Sequence, residues 1–127
     1  MTTWILAVLL LYLAQIYFSA LFLLPYVTIS QIVGGRDDMP ERGKIAGRAD
    51  RALSNLKENL PFFLTLGVLA LIVPGADVDQ ATFGASLFFF ARLAYLPLYI
   101  SGIPFLRSLA YIAGLGGNVI MGLAVIG

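Results

Sequence analysis

The chain has 127 residues, of which 60% are apolar and 12% charged, and its net charge is +1. Mean hydropathy is +0.92 and soluble domains carry about 25% charged residues, so the composition describes one small polytopic membrane bundle and excludes a soluble domain. The balanced charge offers no basic field for nucleic acid. The absence of Cys and His excludes disulfides, thiol catalysis by the protein itself, Cys-type zinc or iron–sulfur sites and histidine general-base chemistry.

No charged residue occurs over 4–33. A helix of that length reaches about 45 Å against a hydrocarbon core of about 30 Å, so a first span is expected over 3–33. A signal peptide is not expected, because no basic residue precedes the run and the run is too long. Pro25 is expected to kink or end this helix. Gln15, Tyr17 and Ser19 are polar groups within it, expected to bond the backbone or a neighbouring helix. The stretch GGRDDMPERGK, 34–44, is punctuated by glycine and proline and reads as a solvated connector.

A second helix is expected over 45–73, entering the bilayer near Leu60, bent at Pro61 and stopped by Pro74-Gly75. A short acidic connection with Asp77 and Asp79 follows. The third helix, 81–101, carries Arg92 near its middle, with Tyr95 and Tyr99 three and seven residues later and Pro97 between them. Gly102-Ile103-Pro104 makes a tight turn. The fourth helix, 105–126, opens with Arg107 and Ser108. Ala110, Gly114, Asn118 and Gly122 recur along it every four residues, a small-residue stripe expected to admit another helix closely. No internal repeat is visible.

Four spans put both termini on one side. Six of the eight basic residues lie between Arg36 and Lys57, and Arg107 lies in the turn before the last span. The positive-inside rule places loop 34–44 and turn 101–107 in the cytoplasm and both termini away from it. The start of helix two, the end of helix three and the start of helix four then meet at one membrane face.

The polar residues concentrate there. Arg51, Asn55 and Glu58 are four and three apart, so they share one side of helix two, with Arg48 one turn earlier. Arg92, Tyr95 and Tyr99 come from helix three, and Arg107 and Ser108 from helix four. Arginine offers forked donors to carboxylates, glutamate accepts from an ammonium group, and asparagine does both. The set suits a small ligand with several carboxylates and an amine. Each residue also has a plainer reading. Arg48 and Arg51 would snorkel at the membrane edge, Glu58 would pair with Arg92 or Arg51, Tyr95 and Tyr99 would belong to an aromatic belt, and Arg107 would only set topology. The arrangement as a whole weighs more than any member, because an intramembrane charge needs a partner.

The segment RADRALSNLKENLPF resembles the helix-two signature of the MAPEG family, the membrane-associated proteins in eicosanoid and glutathione metabolism, through Arg51, Asn55, Glu58, Pro61 and Phe62. FARLAYLPLYISGIPFLRSL resembles the family's helix three and its turn into helix four, through Arg92, Tyr95, Tyr99 and Arg107. A bacterial branch with the same ARLAY, Tyr, GIP and Arg segment looks closest, which implies an inner-membrane protein with periplasmic termini. The resemblance covers essentially the whole chain. It implies a four-helix subunit in a homotrimer, with glutathione between neighbouring subunits at the cytoplasmic side. Arg51, Asn55 and Glu58 would hold the peptide with help from Arg92, Tyr95 and Tyr99, and Arg107 would activate its thiol, with Ser108 beside it. The spacing from Tyr99 to Arg107 varies among branches by about a residue, and Tyr95 stands where some relatives have histidine.

The function implied is a glutathione-dependent transferase or peroxidase acting on lipophilic electrophiles. The rival is a non-catalytic membrane subunit that binds lipid or quinone, or packs against a larger hetero-complex. A transporter component fits less well, since the chain lacks an inverted repeat and has few intramembrane acids.

Overall fold

Four α-helices run through the described residues, which in this computed structural model are 1–21 and 44–126, with side chains over 1–18 and 47–126. They are α1 (Thr2–Leu21), α2 (Lys44–Ile72), α3 (Val78–Ser101) and α4 (Pro104–Ile126). The end of the first apolar run, with Pro25, and the polar loop up to residue 43 lie outside the described residues. Gly47–Ile72, Val78–Ser101 and Pro104–Ile126 are each long and apolar enough to cross a membrane, and Thr2–Phe18 adds a shorter apolar helix. The chain is an all-α membrane bundle.

Local chemistry sets the helix ends. α3 begins three residues before the expected start because Asp77 caps it, its carboxylate accepting from the Gln80 N–H at 3.0 Å. That satisfies one of the orphan donors of a helix N-terminus. α3 ends at Gly102, whose φ of 75° is left-handed and whose N–H reaches the carbonyls of Leu98 and Tyr99; such a C-cap favours glycine. Gly75, at φ 84°, turns the chain between α2 and α3. Pro61 and Pro97 lie inside α2 and α3, which continue through them.

All four helices contribute to one apolar core of Val8, Leu56, Leu60, Phe63, Ala85, Phe88 and Met121. Phe63 of α2 stacks on Phe88 of α3 with ring centroids 4.6 Å apart. Of the phenylalanine run, Phe88 is therefore core, whereas Phe90 is exposed beside Trp4. Outward faces stay apolar, with Leu10, Phe83, Phe105, Ile112 and Leu123 exposed, as lipid contact requires. Ala70, Ala81 and Ala124 close the far end with Met1 packed against them. There the Asp77 N–H donates to the Ala124 carbonyl at 3.0 Å and Gln80 Nε2 to that of Ile120 at 3.2 Å. The N-terminus, the α2–α3 connection and the end of α4 thus share one end. The starts of α2 and α4 and the end of α3 share the other, as the charge pattern led us to expect.

α3 and α4 approach closely at Gly84 and Gly117. A Cβ built on Gly117 would sit 2.5 Å from the Gly84 carbonyl oxygen, and one on Gly84 would sit 2.6 Å from that of Gly117. Of the expected stripe, Gly114 and Asn118 flank this contact as buried residues, while a Cβ on Gly122 would meet only Leu66, at 3.9 Å. Strict four-residue spacing missed Gly117 because a helix face drifts and is covered by residues three and four apart alike. Gly84→Ala or Gly117→Ala is expected to destabilise the bundle by about 1–3 kcal/mol through overpacking. Gly116→Ala, whose Cβ would meet nothing within 4 Å, is expected to be neutral or stabilising; thermal unfolding midpoints of the detergent-purified variants check the contrast.

Candidate ligand pocket between the second, third and fourth helices

At the Arg107 end of the bundle a pocket of about 280 Å³ is lined by Asn55, Tyr95, Arg107, Ser108, Tyr111 and Ile112. Three helices supply these walls. α2 gives Asn55, α3 gives Tyr95, and α4 gives the rest from two successive turns.

Arg92 lies behind the pocket, 2% exposed, among α2, α3 and α4. Its Nη1 donates to Asn55 Oδ1 at 2.8 Å, and its guanidinium lies 4.2 Å from the centroid of the Tyr95 ring. Nε and Nη2 have no hydrogen-bond partner among the described residues. Gly114 on α4 lies beside it, a Cβ there falling in ordinary contact, 3.6 Å from Arg92 Cδ. The charge is stabilised by one hydrogen bond and one aromatic face, a cation–π contact worth about 2 kcal/mol when desolvated. Arg92 meets Asn55, and neither Glu58 nor Arg51 joins it.

Tyr95 continues the contact outward. Its ring lies 5.5 Å from that of Tyr99 and 6.4 Å from that of Tyr111. Arg107 sits over Tyr99, 4.7 Å from the ring centroid. The Arg107 backbone N–H donates to the Ile103 carbonyl at 3.2 Å, and among the described residues its guanidinium, part of the pocket wall, meets no carboxylate. Ser108 differs. Its Oγ donates to the Pro104 carbonyl at 3.0 Å, within the first turn of α4, so its proton is engaged and the hydroxyl offers the pocket an acceptor.

The structure separates the residues of helix two. Asn55 turns into the pocket, whereas Arg51 and Glu58 are exposed on the outer side. The Arg51 guanidinium lies back along its own helix, close enough that a Cβ on Gly47 would meet it at 3.3 Å. One chain therefore unites Asn55, Tyr95, Tyr99, Arg107 and Ser108 around the pocket, with Arg92 behind it, and leaves Arg51 and Glu58 apart. Two pocket neighbours escaped the sequence reading. Tyr111 lines the wall, and its place four residues after Arg107 on one helix face was the available signal. Asn59, four after Asn55, donates from Nδ2 to the Asn55 carbonyl at 2.8 Å and to Asn55 Oδ1 at 3.4 Å.

Arg48 is more than an edge charge. Its Nη1 donates to the Ile100 carbonyl at 3.0 Å, at the C-terminal end of α3, which has no basic residue of its own in its last turn. A cation there satisfies an orphan carbonyl and opposes the helix dipole. A Cβ on Gly102 would meet this guanidinium at 2.9 Å. Arg48→Met, which keeps an apolar stem and loses the bond, is expected to lower stability by about 1–2 kcal/mol, read as a lower thermal midpoint.

Comparison with curated proteins finds no match. Comparison with protein families does: the Arg51, Asn55 and Glu58 motif and the turn into α4 at Arg107 sit within a match of the MAPEG family model to residues 1–127, the whole chain, and the chain belongs to the MAPEG family.

Proposed function

We propose that the chain is a glutathione-dependent membrane enzyme, a transferase or peroxidase that turns the thiol against lipophilic electrophiles reaching the pocket from the bilayer. The observation that carries this reading is Arg107, a guanidinium on the pocket wall with no carboxylate partner among the described residues. A free thiol has a pKa near 8.5, so only about 3% is thiolate at pH 7. A neighbouring cation favours the ionised form. The thiol proton leaves to water at the membrane face. In transfer, the sulfur lone pair forms an S–C bond as the leaving group departs with its electrons. In peroxide reduction, it forms an S–O bond as the O–O bond breaks and the alcohol leaves, and a second thiol then releases water and yields the disulfide.

The protein's part is binding and electrostatics. Asn55 and the tyrosine cluster line the site. Arg51 and Glu58, exposed in the single chain, suit carboxylate and ammonium groups of a peptide closed in by a second copy, as in a homotrimer. The basic turns would then face the cytoplasm of a bacterial inner membrane and both termini the periplasm.

A second reading, a non-catalytic subunit holding lipid or quinone, draws support from an apolar pocket of about 390 Å³. It is lined by Asn59, Phe62, Leu66, Tyr111, Leu115, Asn118 and Val119, and the buried Asn118 Oδ1 has no partner among the described residues. Glutathione binding by the detergent-purified protein separates the two readings, and its absence would sink the enzyme reading. Lowering a thiol pKa also lowers its nucleophilicity, so each unit yields only about threefold in rate below the pKa. With a shift of about two units at stake, Arg107→Ala is expected to reduce turnover of 1-chloro-2,4-dinitrobenzene about tenfold at about pH 6 and about threefold at about pH 7, to move the acid limb of the pH–rate profile upward, and to leave glutathione affinity within about threefold. Ser108→Ala is expected to cost less than about threefold in kcat, since its proton is held by Pro104; a loss as large as that of Arg107→Ala would assign the serine a direct role.

A further inference from the structure

Arg92 touches two walls of the pocket without being one of them. Arginine only donates, so the Asn55 atom facing Nη1 at 2.8 Å has to be the carbonyl oxygen, which fixes which way the amide points. Asn59 Nδ2, at 3.4 Å, approaches the same oxygen. Its shorter bond, at 2.8 Å, is to the Asn55 backbone carbonyl, and the Asn55 Nδ2 group, with its two N–H bonds, has no partner within the described residues. We propose that Arg92 is a positioning residue that holds Asn55 with its amide donors toward the pocket, so that a ligand meets Asn55 through a carbonyl or carboxylate oxygen. An ammonium group must find its acceptor elsewhere.

Three features make Arg92 suited to this. It is 2% exposed and does not line the pocket, so it acts through other groups. Its guanidinium lies against the face of Tyr95, another pocket wall, and so fixes two lining residues from one point. Freeing Asn55 to flip would leave a buried cation without its acceptor, a loss larger than that of an ordinary hydrogen bond. The amide is therefore oriented before any ligand arrives, which removes an ordering cost from binding.

The assignment rests on the pocket being the glutathione site, and the test keeps the two ideas apart. Full-length wild type, Asn55→Ala, Asn55→Asp, Arg92→Lys, Arg92→Met and the double variant Arg92→Met/Asn55→Ala are purified in detergent. Thermal midpoints are measured without ligand, glutathione affinity by equilibrium dialysis, and KM and kcat with 1-chloro-2,4-dinitrobenzene. Asn55→Asp is expected to keep or raise the midpoint, because a carboxylate keeps the Arg92 bond, yet to weaken glutathione binding at least about tenfold, because an acceptor has replaced the donors. Arg92→Met is expected to raise KM by a similar factor with kcat within about threefold, Arg92→Lys to recover part of the loss, and the double variant to be no worse than the worse single one. Should Arg92→Met fail to fold, Arg92→Lys and Asn55→Asp carry the test. Glutathione binding by Asn55→Asp as tight as wild type, or losses that simply add in the double variant, would overturn the proposal. A wild type that binds no glutathione would overturn the function proposed above, and coupling or additivity of the thermal midpoints would still uphold or overturn the orientation of Asn55.

Discussion

A cation that is almost fully buried in an apolar bundle constrains everything near it. Arg92 has one short hydrogen bond, to Asn55, and one aromatic contact, to Tyr95. The first crosses from α3 to α2 and the second sits at the pocket. Gly114 of α4 packs beside it. α2 and α3 are thus tied together by the need to stabilise one charge in a medium where an unpaired polar group costs several kcal/mol. The pocket is the open side of that arrangement, and two of its walls, Asn55 and Tyr95, are the groups on which the charge depends.

The two ends of the bundle join different pairs of helices. Toward the far end α3 and α4 meet at Gly84 and Gly117, Ala70, Ala81 and Ala124 pack together, and Asp77 and Gln80 donate to carbonyls of α4. That packing joins α3 and α4 closely and leaves no room for a ligand between those two helices. At the pocket end, α2 is tied to α3 by polar bonds, Arg48 to Ile100 and Asn55 to Arg92. Polar ties hold elements in place while leaving surface between them for a bound molecule to fill. The tight end fixes the walls on α3 and α4, and the polar end places the α2 wall.

Helix number, helix type and the end at which the polar residues gather could be read from the chain, because hydropathy, proline–glycine turns and the distribution of arginine all act locally or along one axis. Contacts between helices could not. The capping by Asp77 lengthens α3 at its start, and Arg48 serves the end of a helix 52 positions along the chain; neither spacing nor composition encodes such a pairing. Glu58 offered itself as the partner of Arg92 on charge alone, yet the partner is the neutral Asn55. Opposite charge was the wrong criterion, since direction from the helix axis decides which side chain a buried group can reach.

That direction also explains why Arg51, Asn55 and Glu58 divide. At about 100° per residue the three span only about 60° of the helix circumference, so reading them as one side was correct. Ala52, Leu53, Leu56, Leu60 and Phe63 define the buried face of α2, and the polar stripe runs along its margin, with Asn55 nearest the core. A ligand that meets Asn55 and either of its two charged neighbours therefore straddles the boundary between the inside of one chain and its outer surface. Under the proposed function such a ligand has an unenclosed side, and only a further surface, lipid or a second copy, can close it. Lipid offers nothing to a peptide bearing several charges, whereas a second copy would bring a further Arg51 and Glu58 to it. Under the proposed function, the place of the stripe on the helix is what makes a neighbouring copy the fitting enclosure.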